Sequence, residues 1–469
     1  KYAGLPWDRE KFVVAEVVEV NQHPNADRLT LCELDDGTGI TTVLTGAPNM
    51  FPWLGKGRLE QPLKVAYARE GAVLYDGHQP GQVLTRLKRA VIRGVESRSM
   101  ICSEKELGIS EESDGVIELD ADAPVGMPLV DYMGDVVYEV AILPNMARDA
   151  SILGIARELS AVTGRPLRLP EGIALEKGGA IAEKVGLEVR DAELNPRFML
   201  GMVEGTQARR SPYWVRRRLS MAGMRPIDAL VDATNYTMLE TGQPLHAFDY
   251  DLLRERAGGK PTIITRTATE GEKIILLDGS EPKLDAQIEL VTDTAGPLSI
   301  AGVMGGGETG VHAGTRNLLI ESANWNFINL RKTLTKTRLS SEAAYRFSRE
   351  VHPALAETAL SLCLKRVREW GGGEVVRGVL DEYGKPYTDT VNRITAKTIA
   401  DVLGQEISLE ESAQILERLG FTCRIDGQPV ECNSGFQPVF SAEVEYGRPN
   451  RRAQTGFFSG AIRTPDDLA

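Results

Sequence analysis

The sequence is poor in the residues that most often announce chemistry. Its five cysteines, Cys32, Cys102, Cys363, Cys423 and Cys432, form no C-x-x-C pair and no zinc-finger spacing, so neither a disulfide framework nor a cysteine metal site is expected. Such sparing use fits a reducing compartment, and a cytoplasmic location is expected. Long apolar runs are also missing. Even the stretch from Val130 to Leu143 carries Asp131, Asp135 and Glu139, which argues against a transmembrane helix. No basic stretch followed by an apolar core marks a signal peptide; the chain opens on Lys1 rather than Met, and the natural protein is expected to begin earlier. Positive charge is in deficit as well. Lysine and arginine number 54 against 66 acids, a net charge of −12, so the chain cannot coat a polyanion indiscriminately. Any nucleic-acid contact must use local patches. Finally, there is no G-x-S-x-G elbow and no H-E-x-x-H zinc helix, so any hydrolysis would rely on a positioned water.

What is present is ordinary globular composition, 42% hydrophobic and 26% charged, which excludes wholesale disorder, collagen and coiled-coil rods. At roughly 100–200 residues per domain, 469 residues suggest about three compact units. From Phe12 to about Leu107 the text is strand-like: FVVAEVVEV, LTLCEL, ITTVLT and LKVAYAR, separated by Pro, Gly, Asn and Asp clusters. Short strands at this spacing read as a small β-barrel or sandwich. Between Asp135 and Pro170 the period becomes helical, with Ile152, Ile155, Ala156 and Leu159 on one face and Gly164 at the end. A linker rich in glycine and small residues follows, with a boundary near Glu183.

Residues 186–388 read as one larger α+β domain with strands PTIITRTA, EKIILLDG and IELVTD. Ser211 and Pro212 predict an N-cap and first-turn proline for PYWVRRRLSMAG, closed by Gly223, and a helix from Pro353 to Trp370 ends at three glycines. After Val391 come TAKTIADVLG and SLEESAQILERLG, where Ser408 and Glu411 have capping-box spacing; two short helices so joined resemble a winged-helix-type module.

Two basic clusters stand out. Arg86, Lys88, Arg89, Arg93 and Arg98 gather late in the barrel with only Glu96 opposing them, and read either as solvated surface or as a phosphate-binding face. Arg209, Arg210, Arg216, Arg217, Arg218 and Arg225 occur with no acid between Gln207 and Ile227; three are consecutive, so they fan around their helix and some must serve structure. The segment VDATNYTMLETGQPLHAFD concentrates Asp232, Thr234, Asn235, Gln243, His246 and Asp249, and is either a polar site or a set of satisfied packing residues. GVMGGGET has phosphate-loop glycine spacing, but Glu308 occupies the position of the required lysine, and the residues after GGGETG do not read as a helix that could hold a pyrophosphate. Those glycines are expected to permit close backbone approach.

HPNADRL, GAPN, RGVESRSMICSEKELG, ILPNMARDASILGIARE, VDATNYTMLETGQPLHAFD, LLDG, AGVMGG, IESANW and AAYRFSREVHP occur here in order. From about residue 12 to 425 this resembles the bacterial phenylalanine–tRNA ligase β-subunit family. The barrel motifs alone are shared with free-standing tRNA-binding proteins and methionine–tRNA ligase tails; the TNY…GQPLHAFD and AGVMGG blocks decide for phenylalanine.

The resemblance implies a multidomain α+β chain: an oligonucleotide-binding-fold barrel at 12–128, a helical segment and linker at 129–185, an editing domain at 186–388 and a small helical, winged-helix-like module at 389–469. It implies an α2β2 assembly with a catalytic α subunit that makes Phe-tRNA from phenylalanine, ATP and tRNA(Phe). ATP and Mg2+ would serve the whole enzyme, and none is assigned to this chain. Neither a membrane nor DNA is expected as a partner. Its own chemistry would be hydrolysis of Tyr-tRNA(Phe), with a non-catalytic tRNA-binding subunit or a free-standing editing hydrolase as alternatives. By the same resemblance Glu321 would receive the tyrosyl hydroxyl, Thr234, Asn235 and His246 would line the pocket near the ester, and Ala301 and Gly302 would form a backbone wall. Arg86, Lys88, Arg89, Arg93, Arg98, Arg216 and Arg217 would meet tRNA. Two departures are clear in YRFSREVHP, where Glu350 and His352 replace the family's Gly and Asp. In the tail, 433–469, the family's magnesium carboxylates have no evident counterpart, and Glu443 and Glu445 do not make a site by themselves.

Overall fold

The computed structural model describes residues 7–77, 79, 81–113, 115–388 and 391–425, with the backbone of two short strands, Gln428–Pro429 and Glu443–Tyr446. Most of the tail at 433–469, and Cys432, lie outside the described residues. Contacts divide the chain into two units, one up to Glu139 together with Pro212–Gly223, the other Val140–Ser211 together with Met224 onward.

The first unit is built on β1 (Phe12–Gln22), β2 (Thr30–Asp35), β3 (Ile40–Thr45) and β4 (Arg58–Ala68), followed by the short strands β5 (Val73–Tyr75), β6 (Leu84–Arg86), β7 (Ala90–Ile92), β8 (Val95–Ser97) and β9 (Met100–Ile101). The sheet order is β3-β2-β1-β4-β9, all antiparallel, and its edge strands β3 and β9 meet, so it curls nearly into a barrel. β1 is almost wholly buried because both its faces are covered, one by Val13, Ala15 and Val17 with Cys32 and Leu34, the other by Phe12 and Val14 with Leu74 and Leu107. Two hairpins, β5–β6 and β7–β8, stand outside this sheet. The short α1 (Leu129–Tyr132) closes the unit, and Tyr213, from the distant helix Tyr213–Met221, joins its core.

The second unit begins with α2 (Ile152–Thr163), α3 (Ile181–Lys184), β10 (Gly186–Val189) and β11 (Arg197–Glu204); α4 is the helix Tyr213–Met221 already placed with the barrel. It continues with α5 (Ala229–Thr241), β12 (Leu245–Asp249), α6 (Tyr250–Arg256), β13 (Thr262–Thr267), β14 (Glu289–Thr292), β15 (Pro297–Ile300), β16 (Met304–Gly305) and β17 (Asn317–Asn324). After these come α7 (Phe327–Thr337), α8 (Glu342–Phe347), α9 (Leu355–Arg366), β18 (Glu374–Val375) and β19 (Leu380–Glu382). Two five-stranded sheets result, β10-β13-β14-β15-β16 and one with the path β12-β17-β11-β18 plus β19 against β11. One apolar core, including Phe198, Phe248, Leu290, Ile300, Leu319 and Trp325, lies between them. The last elements are β20 (Asn392–Arg393), α10 (Ala396–Leu403), α11 (Leu409–Arg418), β21 (Thr422–Ile425), β22 (Gln428–Pro429) and β23 (Glu443–Tyr446), with Ile399, Ala413 and Cys423 as a small core. Ser408 caps α11 by accepting from Glu411 N–H at 3.1 Å, as its spacing predicts.

The apolar stripe of α2 faces outward: Ile152 and Leu159 are 66% and 58% exposed, while Gly154, Arg157, Ser160 and Ala161 are buried. At Gly154 a Cβ would lie 2.2 Å from the Arg148 carbonyl oxygen, so no side chain fits at that position. Two local expectations are corrected. EKIILLDG forms no extended strand; Leu276 makes an isolated bridge to Gly306, while Ile275 and Leu277 are exposed. The helix expected to open on Pro212 starts at Tyr213, with Pro212 in the N-cap place, and the Ser211 hydroxyl donates to Asp232 Oδ2 at 2.6 Å.

Candidate functional site

The site is assembled from β12, β16 and β17. Antiparallel pairing sets His246 of β12 directly opposite Glu321 of β17, with Leu200 of β11 opposite Glu321 on its other side. Residues so opposed have Cβ atoms about 4.5–5.5 Å apart and share one face of the sheet. Glu321 is buried, its Oε2 has no hydrogen-bond partner among the described residues, and burial pushes its carboxyl up to about 8. It is therefore neutral at pH 7, able to offer both an O–H donor and a carbonyl acceptor. Burial also lowers the His246 imidazole to about 4, so that ring is neutral and keeps one bare nitrogen as an acceptor. Its orientation is fixed from two sides. Phe248 packs edge-on at 4.5 Å between centroids, and Gly305 of β16 comes so close that a Cβ there would lie 2.3 Å from His246 Cε1. The AGVMGG glycines thus serve close approach, at a residue that spacing alone did not single out.

The remaining candidates lie on other segments of the same domain. Ala301 is buried and donates its N–H to the Glu289 carbonyl at 3.0 Å. Gly302 has φ +66 and backs onto Trp325, whose Cδ1 would be 2.7 Å from an added Cβ, so a side chain is excluded both by conformation and by space. Thr234 and Asn235 lie on α5, which packs against β12. Thr234 is buried with its hydroxyl donated to the Val231 carbonyl at 2.7 Å, Asn235 is half-buried, and among the described residues no hydrogen bond joins either to His246 or Glu321. The other polar residues of this segment hold the fold. Asp232 accepts from Ser211 and from Ile227 N–H, and Gln243 donates to the Pro244 and Ala323 carbonyls. Asp249 caps α6 and accepts from the Thr315 hydroxyl.

The two basic clusters differ in kind. Arg86, Lys88, Arg89, Arg93 and Arg98 are all exposed on or beside the hairpins β5–β6 and β7–β8; Arg89 is 3.5 Å from Glu96, and Arg93 sits at the turn with φ +48. Arg216, by contrast, has its side chain only 11% exposed, pairs with Glu104 at 3.4 Å and lies over the Tyr213 ring. Arg217 is partly buried, and that burial lowers its guanidinium from the ordinary value. These two bind α4 into its own unit. Among the described residues no cluster of three or more His, Cys, Asp or Glu could hold a metal ion, and no helix is long and apolar enough to cross a membrane.

Comparison with known proteins matches these parts separately. A putative tRNA binding domain family covers residues 12–57 and 67–128, and the B3/4 domain family covers 194–372, which includes β12, β16 and β17. The chain is 40% identical over 408 residues to a phenylalanine–tRNA ligase beta subunit of Dehalococcoides mccartyi, covering 87% of this chain and 48% of that one. It is 38% identical over 415 residues to that of Geobacter sulfurreducens, covering 88% and 49%. An N-terminal fragment of the phenylalanyl-tRNA synthetase beta subunit from Pyrococcus horikoshii aligns at 17% identity over 61% of this chain and 79% of the fragment, with a TM-score of 0.28. The chain spans about half the length of the curated relatives it matches. With its barrel and its two-sheet domain matched in the same order and nearly nine-tenths of its length aligned, this chain belongs to the phenylalanine–tRNA ligase β-subunit family.

Proposed function

We propose that this chain supplies the tRNA-binding and proofreading parts of a phenylalanine–tRNA ligase β subunit: it holds tRNA(Phe) and hydrolyses Tyr-tRNA(Phe). The observation that carries this reading is Glu321, a buried neutral carboxyl with an unpartnered oxygen, opposite a neutral histidine in a B3/4 domain. A pocket that merely accommodates a ring rejects an added hydroxyl by only about a hundredfold, which leaves Tyr-tRNA to be removed afterwards. A carboxyl that pairs with a phenol discriminates in the other direction, because a phenyl ring would leave it buried and unsatisfied. In the proposed reaction a water attacks the tyrosyl ester carbonyl, and the bond to the ribose oxygen breaks. Free tyrosine leaves, and the tRNA hydroxyl takes up the proton. His246 orients the water through its bare nitrogen, and the Ala301–Gly302 backbone walls the ring.

Aminoacylation, with its phenylalanine, ATP and Mg2+, belongs in this reading to an α subunit of an α2β2 cytoplasmic enzyme. Among the described residues no cluster of His, Cys, Asp or Glu could hold a magnesium ion. The test is deacylation of Tyr-tRNA(Phe) and Phe-tRNA(Phe) by the chain, alone and with α subunit. Release of tyrosine in preference to phenylalanine, with the preference lost in Glu321→Ala, is the expected result. An unchanged ratio in that variant would refute the assignment, and tRNA binding without any deacylation would leave a binding subunit only.

A further inference from the structure

The barrel unit contains a cavity of about 180 Å3 that the proofreading reading does not use. It lies where hairpin β5–β6 meets the loop after β9, and is lined by Tyr75, Gln82, Lys105, Ile109, Ser110 and Glu111 among others. An engineered cavity of about 150 Å3 holds benzene, so a planar ring fits here. The walls are built rather than incidental. Tyr75 N–H donates to the Glu106 carbonyl at 3.0 Å, Lys105 Nζ donates to the Gly77 and Gln79 carbonyls at 3.2 and 3.0 Å, and the Ser110 hydroxyl donates to Glu104 at 2.8 Å.

The register adds a second element. Tyr75 pairs with Leu84 and Val73 with Arg86, so Tyr75 and Arg86 share one face of the hairpin, and Arg86 begins the exposed run that includes Lys88 and Arg89. An aromatic ring beside a cavity, on the same face as an exposed arginine, is how proteins hold unpaired nucleotides: the base stacks and the backbone follows the charge. The lining suits a base: Glu111 can accept an amino group and Gln82 offers both a donor and an acceptor, while the Lys105 ammonium is already engaged by two backbone carbonyls.

We infer that this cavity receives one unpaired, amino-bearing base of the bound tRNA, stacked on Tyr75, with the adjoining phosphate on the Arg86–Arg89 run. This rests on the tRNA-binding reading and gives that surface a single-base subsite.

The experiment measures binding of tRNA(Phe) to the chain by filter retention across a salt series, for wild type and for Tyr75→Ala, Tyr75→Phe, Gln82→Ala and Arg86→Ala. Stacking on an aromatic predicts a 5- to 150-fold loss for Tyr75→Ala with the salt slope unchanged, near-complete rescue in Tyr75→Phe, and a slope lower by about one in Arg86→Ala. Gln82 is exposed, so Gln82→Ala tests the cavity without touching the core, and is expected to weaken binding at constant slope. If Arg86→Ala weakens binding while Tyr75→Ala and Gln82→Ala bind as wild type, the subsite is refuted and the tRNA-binding reading stands. If the wild-type chain fails to bind tRNA(Phe), both fall.

Discussion

His246 and Glu321 face each other across two antiparallel strands, and burial drives both to their neutral forms, one down to about 4 and the other up to about 8. A neutral acid beside a neutral base, rather than an ion pair, is what lets this face of the sheet hold hydrogen-bonding capacity in reserve for a ligand.

That arrangement has a pH signature. Between pH 4.5 and about 8 the folded chain holds a proton on Glu321 that the unfolded chain has lost, so this group lowers stability as pH rises through that window. The slope is at most about 1.4 kcal/mol per pH unit. His246 acts oppositely: between 6.5 and about 4 the unfolded chain gains a proton that the native ring refuses, and stability falls as pH drops. Thermal melts of Glu321→Gln and wild type should therefore diverge from pH 5 to 8, with the variant increasingly the more stable. Parallel curves over that range would contradict a neutral buried Glu321.

Gly305→Ala tests the seat of His246. A methyl group 2.3 Å from Cε1 must displace either the ring or β16, and overpacking of this kind costs about 1–3 kcal/mol. Deacylation of Tyr-tRNA should fall while tRNA affinity is preserved, because the barrel unit is untouched. Wild-type deacylation in this variant would show that the orientation of His246 does not matter.

The arginines should separate by salt dependence. Arg89→Ala and Arg93→Ala are expected to weaken tRNA binding and reduce the salt slope by about one each, with melting temperatures unchanged. Arg216→Ala is expected to do the reverse, destabilising the barrel unit by about 1–3 kcal/mol because it removes a charge-assisted contact from the partly buried Glu104 carboxylate. A reduced slope in Arg216→Ala would return this residue to the tRNA-binding surface.

Glu350 has φ +69, in the left-handed region that a side chain disfavours. Glu350→Gly should raise stability by up to about 1 kcal/mol, measured by urea unfolding. A loss of stability would mean that the contacts of the glutamate outweigh its backbone strain.

Much of this was readable along the chain. The barrel strands follow from alternation and turn residues, the α11 cap from Ser408, and the end of α2 from Gly164 with φ +69. These signals are local: a turn, a cap or a strand is determined by neighbours a few residues away. The failures are equally physical. The period of α2 placed its apolar residues on one face, but only packing decided that Gly154, Arg157, Ser160 and Ala161 are the buried ones. Arg216 looked like Arg93 until Glu104 and Tyr213 claimed its guanidinium.

The sequence by itself pointed to a tRNA-binding barrel followed by a larger α+β domain, because motif spacing and residue type survive without coordinates. Only the tertiary structure decided which polar groups are available for chemistry. Thr234, Asp232 and Asp249 donate or accept within the fold, whereas Glu321 is left with an oxygen to offer. The difference lies in strand register and sheet packing, which join residues far apart in the chain and set how much water each can reach, and it is loss of water that holds Glu321 and His246 neutral.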